Sequence, residues 1–204
     1  MSQHNIILES PWKRIRLVPP SAEYDEDFAY NFSHPISRRY LRYPPASMST
    51  EEARLLREKR IPMQDRNDFH ILFLQNDGPT RYGGGIGCFH INDNLSCESG
   101  IIVHPELHGK NIATEAFYLV FKFIFEERRL HRVSLITGED NVGMRGWLEN
   151  VAGARLERSI RDAWKEMSGK FRGAKAYAIL EEEWRGNVKQ RLEDRMNKVI
   201  ARGE

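Results

Sequence analysis

The chain has 204 residues, 40% of them apolar and 29% charged, with 31 basic and 29 acidic side chains for a net charge of +2. Charges this balanced, spread along the whole chain, exclude a strongly basic nucleic-acid or membrane-surface binder, and no run approaches the roughly 18 apolar residues that span a bilayer. The N-terminus has no charged-then-apolar layout of a secretory signal, so the cytoplasm is the expected address.

Residues 12–18 alternate apolar and basic, as a half-buried strand does. Pro19 and Pro20 stop it, and Ser21 is placed to cap a first helix over 22–33 carrying Tyr24, Phe28 and Phe32 at i, i+4 and i+8. An irregular stretch, 34–48, is rich in Arg and Tyr and long for a connector; Tyr40 and Tyr43 make it a candidate substrate wall. Ser49 and Glu52 form a capping-box pattern that opens a second helix over 50–64. Strands are expected over 69–74, 84–91 and 95–103, with a turn at Asn76-Asp77-Gly78-Pro79. Cys88 and Cys97 flank Asn92-Asp93-Asn94, so a hairpin would bring them near each other as reduced thiols. Neither belongs to a metal-ligand cluster, and no metal is expected.

The next helix, 112–129, shows a 3.6-residue period: Ala113, Phe117, Val120, Phe121 and Ile124 on one face, Glu115, Lys122 and Glu126 on the other. A strand over 132–137 leads into Gly138-Glu-Asp-Asn141, a short helix over 142–150, and two last strands over 154–161 and 174–182. The loop between them holds Trp164, a second candidate for the substrate wall. Residues 185–204 carry Val188, Leu192, Met196 and Val199 on one stripe of a terminal amphipathic helix. The stripe should dock on its own domain or on a twin subunit in a homodimer, because the polar face mixes acids with bases. The order implies one mixed α/β domain over 1–184 with a single sheet, followed by that helix.

The organising stretch is Gly100-Ile-Ile-Val-His-Pro-Glu-Leu-His-Gly-Lys-Asn-Ile-Ala-Thr-Glu-Ala116, an apolar strand, a polar turn and a helix start. Small or turn-tolerant residues at Gly109, Asn111 and Ala113 leave backbone N–H groups uncovered at the positive end of the helix, which favours phosphate. A Walker loop is excluded, since the upstream glycine and the Ser/Thr after Lys110 are missing. A dinucleotide fold lacks its G-x-G-x-x-G turn.

Several ordered motifs around this stretch resemble the GNAT superfamily of acyl-CoA N-acyltransferases, and within it the branch of ribosomal-protein N-terminal acetyltransferases. The hallmark Arg/Gln-x-x-Gly-x-Gly/Ala falls on His108-Gly-Lys-Asn111-Ile-Ala113. Glu98-x-Gly100, Pro105, Ala113-Thr-Glu-Ala116, Asn141, Leu148-Glu149 with Gly153, Arg161-Asp-Ala163, Tyr177-Ala-Ile-Leu180 and Glu183-Trp184 match its flanks, so the resemblance spans 12–184. It implies a GNAT fold: one strongly twisted mixed sheet of six to seven strands flanked by about four helices. It further implies acetyl-CoA as cosubstrate, held by His108, Gly109, Lys110, Asn111, Ile112 and Ala113 at the diphosphate and by Ile102 and Val103 along the pantetheine. Asn141 would contact the cofactor or an ordered water, and Glu98 would serve as base or ammonium anchor. The acceptor would be a small-molecule amine or a peptide N-terminus.

Three departures qualify the resemblance. His108 replaces Arg/Gln, keeping a hydrogen-bond donor but not a constant charge. Asn111 replaces the second Gly; among non-glycine residues Asn best tolerates left-handed backbone, which Asn111 is expected to adopt. Met144 and Leu148 stand where a Ser or Tyr would supply a general acid, which leaves a CoA-binding protein of the same fold with little transferase activity as the alternative reading.

Overall fold

The computed structural model describes residues 2–41, 47–74, 78–166 and 169–203. Tyr43 and the Asn76-Asp77 half of the expected turn lie outside them.

Eight strands form a single sheet: β1 (Leu8–Glu9), β2 (Ile15–Val18), β3 (Arg66–Phe73), β4 (Arg81–Asn92), β5 (Ser96–Val103), β6 (Arg132–Gly138), β7 (Arg155–Lys165) and β8 (Phe171–Leu180), in the order β1-β2-β3-β4-β5-β6-β8-β7. All neighbours are antiparallel except β5 and β6. The count exceeds the expected six to seven because β1 adds an edge strand of two residues, too short to show any alternation.

The helices are α1 (Asp25–Ser33), α2 (Pro35–Arg38), α3 (Thr50–Arg60), α4 (Ile112–Lys122), α5 (Val142–Gly146), α6 (Glu181–Glu183) and α7 (Lys189–Ala201). α4 and α5 each run on into a π-helical turn, Phe123–Glu127 and Trp147–Ala152. The capping box of α3 forms as its sequence indicates: Glu52 N–H donates to Ser49 Oγ at 3.2 Å and Ser49 N–H to Glu52 Oε2 at 2.7 Å. Ser21 does not cap α1. It precedes a 3-10 turn, Ala22–Tyr24, makes no side-chain cap bond, and leaves the acids Asp25, Glu26 and Asp27 to favour the helix start.

Alternation along β3 builds two helical layers. Phe69 packs against Phe123 on the α4 side, with ring centroids 5.8 Å apart, whereas His70 faces Tyr24 and Phe28 on the α1 side. The main core lies between α4 and the sheet. α4 is buried around most of its circumference, including Glu115, which the helical period assigns to the polar face. The second cover comes from the N-terminal segment and from α7, whose Leu192, Met196 and Val199 are buried with α7 packed on α4. The apolar stripe of the terminal helix is therefore covered by its own domain. Cys88 and Cys97 are free, buried thiols in hydrogen-bond contact, and that contact together with burial pushes the Cys97 thiol up.

Candidate active site

The two central strands part company half-way along. β5 pairs with β6 only from Ser96↔Arg132 to Glu98↔Ser134, while its antiparallel pairing with β4 continues to Gly84↔Val103. Beyond Glu98 one edge of β5 is open. His104 N–H donates to Gly83 O at 2.9 Å, so by alternation the backbone groups of Ile102 point toward β4 and those of Ile101 and Val103 toward the open side. The close approach that makes this register possible depends on Gly84. Its φ is +136°, and a Cβ there would lie 2.1 Å from the Ile102 carbonyl oxygen.

A cleft of about 1140 Å³ runs along this edge and reaches the start of α4; Glu98, Ile102, Val103, His108, Gly109, Asn111, Ile112, Ala113, Asn141 and Met144 all line it. Asn111 sits at φ 59°, ψ 14°, the left-handed conformation expected of it, and its side chain does not cap the helix. The first N–H of α4 to reach a carbonyl is that of Glu115, bonded to Asn111 O at 3.2 Å. Among the described residues, the amides of Gly109, Asn111, Ile112, Ala113 and Thr114 have no acceptor. Two expectations change here. Lys110 is not an open donor, because its N–H bonds Leu107 O at 3.3 Å. His108 is turned toward the strand: its Nε2 lies 3.1 Å from Val103 O, satisfying one of the β5 carbonyls on the open side. The Nε2 proton is then committed to that carbonyl rather than to an anion.

The loop is held from behind by groups the sequence reading missed. Arg14 donates to Lys110 O at 2.7 Å and lies 3.7 Å from the fully buried Glu115, which accepts a short bond from Ser10. Burial pushes the Glu115 carboxyl up, against the downward pull of Ser10 and Arg14. No local signal marks Glu115 as buried, since its partners lie about a hundred positions away. Trp147 completes one wall, stacked on Phe117 at 4.8 Å and donating to Thr114 Oγ1 at 3.0 Å.

Glu98 stands at the fork, partly exposed, with the exposed His90 Nδ1 3.7 Å away. Asn141 is an N-cap: its Oδ1 accepts from Met144 N–H at 3.2 Å and its Nδ2 donates to Thr137 Oγ1 at 3.0 Å. Tyr40 and Trp164 both line the cleft. Trp164 is buried, with the Arg172 guanidinium 5.1 Å over its ring, and Arg172 also donates to Arg39 O and Leu41 O, tying the loop before α3 to β8. Leu148 is buried and presents no polar group.

The sequence model described as acetyltransferase (GNAT) domain matches residues 14–152. The chain belongs to the GNAT acetyltransferase family. This GNAT acetyltransferase is similar in fold to solved structures over most of its length. A protein of T. thermophilus assigned as an acetyltransferase is 26% identical over 96% of this chain and 100% of its own, with a TM-score of 0.78. Spermidine N-acetyltransferase from Vibrio cholerae, solved with CoA and spermine, is 19% identical over 85% of this chain and 99% of its own, TM-score 0.76. The RimL ribosomal L7/L12 alpha-N-protein acetyltransferase, solved with coenzyme A, is 15% identical over 87% and 99%, TM-score 0.75. The last two likenesses concern the fold. No curated protein sequence matches the chain. No described helix is long and apolar enough to cross a membrane.

Proposed function

We propose that this family member is an acetyl-CoA-dependent N-acetyltransferase that acetylates a primary amine by direct attack in a ternary complex, and that it stands with the branch of ribosomal-protein N-terminal acetyltransferases. The observation that carries the reading is the continuity of one slot, from the open edge of β5 to the open amides at the head of α4. Those donors suit a diphosphate, and the strand edge suits an amide-bearing arm. Gly109, Asn111, Ile112, Ala113 and Thr114 would hold the diphosphate of CoA. Ile101 and Val103 would pair with its pantetheine arm, with the Ile102 side chain packed beside it. Bound acetyl-CoA supplies an activated acetyl thioester and a thiolate leaving group.

The chain's own part is mostly positioning. Glu98, the last residue before the strands diverge, meets the incoming ammonium and takes its proton. Backbone N–H groups on the open edge polarise the acetyl oxygen. Asn141 acts through α5, whose first turn it caps beside the slot. Met144 and Leu148 offer no proton, so the departing thiolate is protonated by water.

Charges in the cleft narrow the acceptor. Of its carboxylates, Asp25 is held bidentately by Arg57 at 2.8 Å, and Asp68 by Arg66 at 2.6 and 2.7 Å. Among the described residues of the cleft, Glu98 is left as the carboxylate with no arginine partner and so as the anchor for positive charge, and Phe28, Phe32, Tyr40 and Phe89 line the same cleft. This composition suits one amine on an apolar or aromatic body, such as a peptide N-terminus or an aromatic monoamine, and disfavours a polyamine. Thiol release from acetyl-CoA across an amine panel tests the reading: peptide N-termini and aromatic monoamines should turn over faster than spermidine. Spermidine as the best substrate would refute the charge argument. CoA binding without turnover on any amine would favour the second reading, a binding protein, for which Met144 and Leu148 are the motive.

A further inference from the structure

The diphosphate loop lacks a side-chain cation in the place where a family member with Arg has one. His108 is bound to Val103 O, and Lys110 is not among the residues that line the cleft. A guanidinium does reach the loop from elsewhere. Arg195, on α7, donates from Nε to Asn111 Oδ1 at 3.3 Å and lines the cleft beside the open amides. Asn111 has a left-handed backbone, and its side chain caps nothing and accepts from Arg195 instead. α7 itself is fixed in place by the buried Leu192, Met196 and Val199, and Arg191 on the same face donates to Val151 O and Asn150 O at 3.1 and 2.7 Å. Nε being engaged, the two Nη groups of Arg195 remain to meet an anion in the fork geometry guanidinium favours.

We propose that Arg195 is a ligand of the CoA diphosphate, positioned by the Asn111 side chain, and that the C-terminal helix is thereby part of the cofactor site although it lies beyond the segment matched by the family model. The inference rests on the CoA reading above. It gives Asn111 two separable roles, a left-handed turn that glycine can replace and a clasp for Arg195 that glycine cannot.

The test is CoA affinity by calorimetry on the full-length protein. Arg195 is exposed, so its substitution leaves the fold intact. Arg195→Ala should weaken CoA by about tenfold, as loss of a charge-assisted hydrogen bond does. 3′-Dephospho-CoA should lose affinity by the same factor; a loss confined to intact CoA would overturn the assignment to the diphosphate. Lys198→Ala, removing a nearby charge of the same helix, should matter much less, and an equal effect would reduce Arg195 to a general field. Asn111→Gly should weaken binding in the wild type but not in Arg195→Ala, whereas Asn111→Ala should be worse than Asn111→Gly in either background. Unchanged affinity in Arg195→Ala, with wild-type binding intact, would remove Arg195 alone. Absence of CoA binding in the wild type would remove the cofactor reading and this inference with it.

Discussion

His70 offers a quantitative test of how the α1 side of the sheet is built. Its ring is 4% exposed and boxed by Tyr24, Phe28 and Tyr82 at 5.3 to 6.2 Å, and its Nδ1 has no partner. Burial pulls its pKa from the ordinary 6.5 down to about 4, with smaller and partly cancelling effects of Asp25, Arg57 and Asp68. The folded protein therefore keeps this histidine neutral where the unfolded chain protonates it. Stability falls as pH drops through 6.5 toward 4, because the unfolded state binds the additional proton. At pH 5 this amounts to about 2 kcal/mol relative to pH 7, from 1.36 kcal/mol per unit of pKa difference. His70→Phe fits the same aromatic box and removes both the titration and the unpartnered nitrogen. Urea unfolding at the two pH values should show the wild type losing about 2 kcal/mol more than the variant, all other groups being common to both. Equal losses would refute the assignment of a neutral, buried His70.

Substitutions at two further positions probe the frame of the slot. Gly84→Ala places a methyl 2.1 Å from Ile102 O at a positive φ, so β4 and β5 must separate; a loss of about 3 kcal/mol or more in urea unfolding is expected, and a loss below about 1 kcal/mol would contradict the close register. Glu115→Ala leaves Arg14 without its buried counter-charge and should lose about 3 kcal/mol, with Glu115→Gln milder because the Ser10 bond can persist; equal losses in the two variants would contradict that hydrogen-bonded arrangement.

What could be read from the sequence was the local part of the site. Strand, turn and left-handed Asn111 are contiguous over 100–116, and a phosphate site at a helix start is built from neighbours in the chain. The Ser49–Glu52 cap was legible for the same reason. Long-range partners were not. Glu115 follows the polar phase of its helix and is nevertheless buried, because residues from Ser10 to Arg14 close over it. Arg195 lies 84 positions from Asn111, on a helix whose periodicity shows only that it docks. Ring-nitrogen chemistry left His108 free to face either an anion or the strand; the open carbonyl of Val103, created by the parting of β5 from β6, decides it. The two-residue β1 is recognisable only through its pairing with β2.

The most direct measurement of the central claim is an amide-resolved NMR titration with CoA. The account predicts saturable shifts concentrated on Ile101, Val103, Gly109, Asn111, Ile112, Ala113 and Thr114, with Lys110 and Ile102, whose N–H groups are already engaged, changing less. Shifts centred elsewhere, or no saturable response at millimolar CoA, would contradict it.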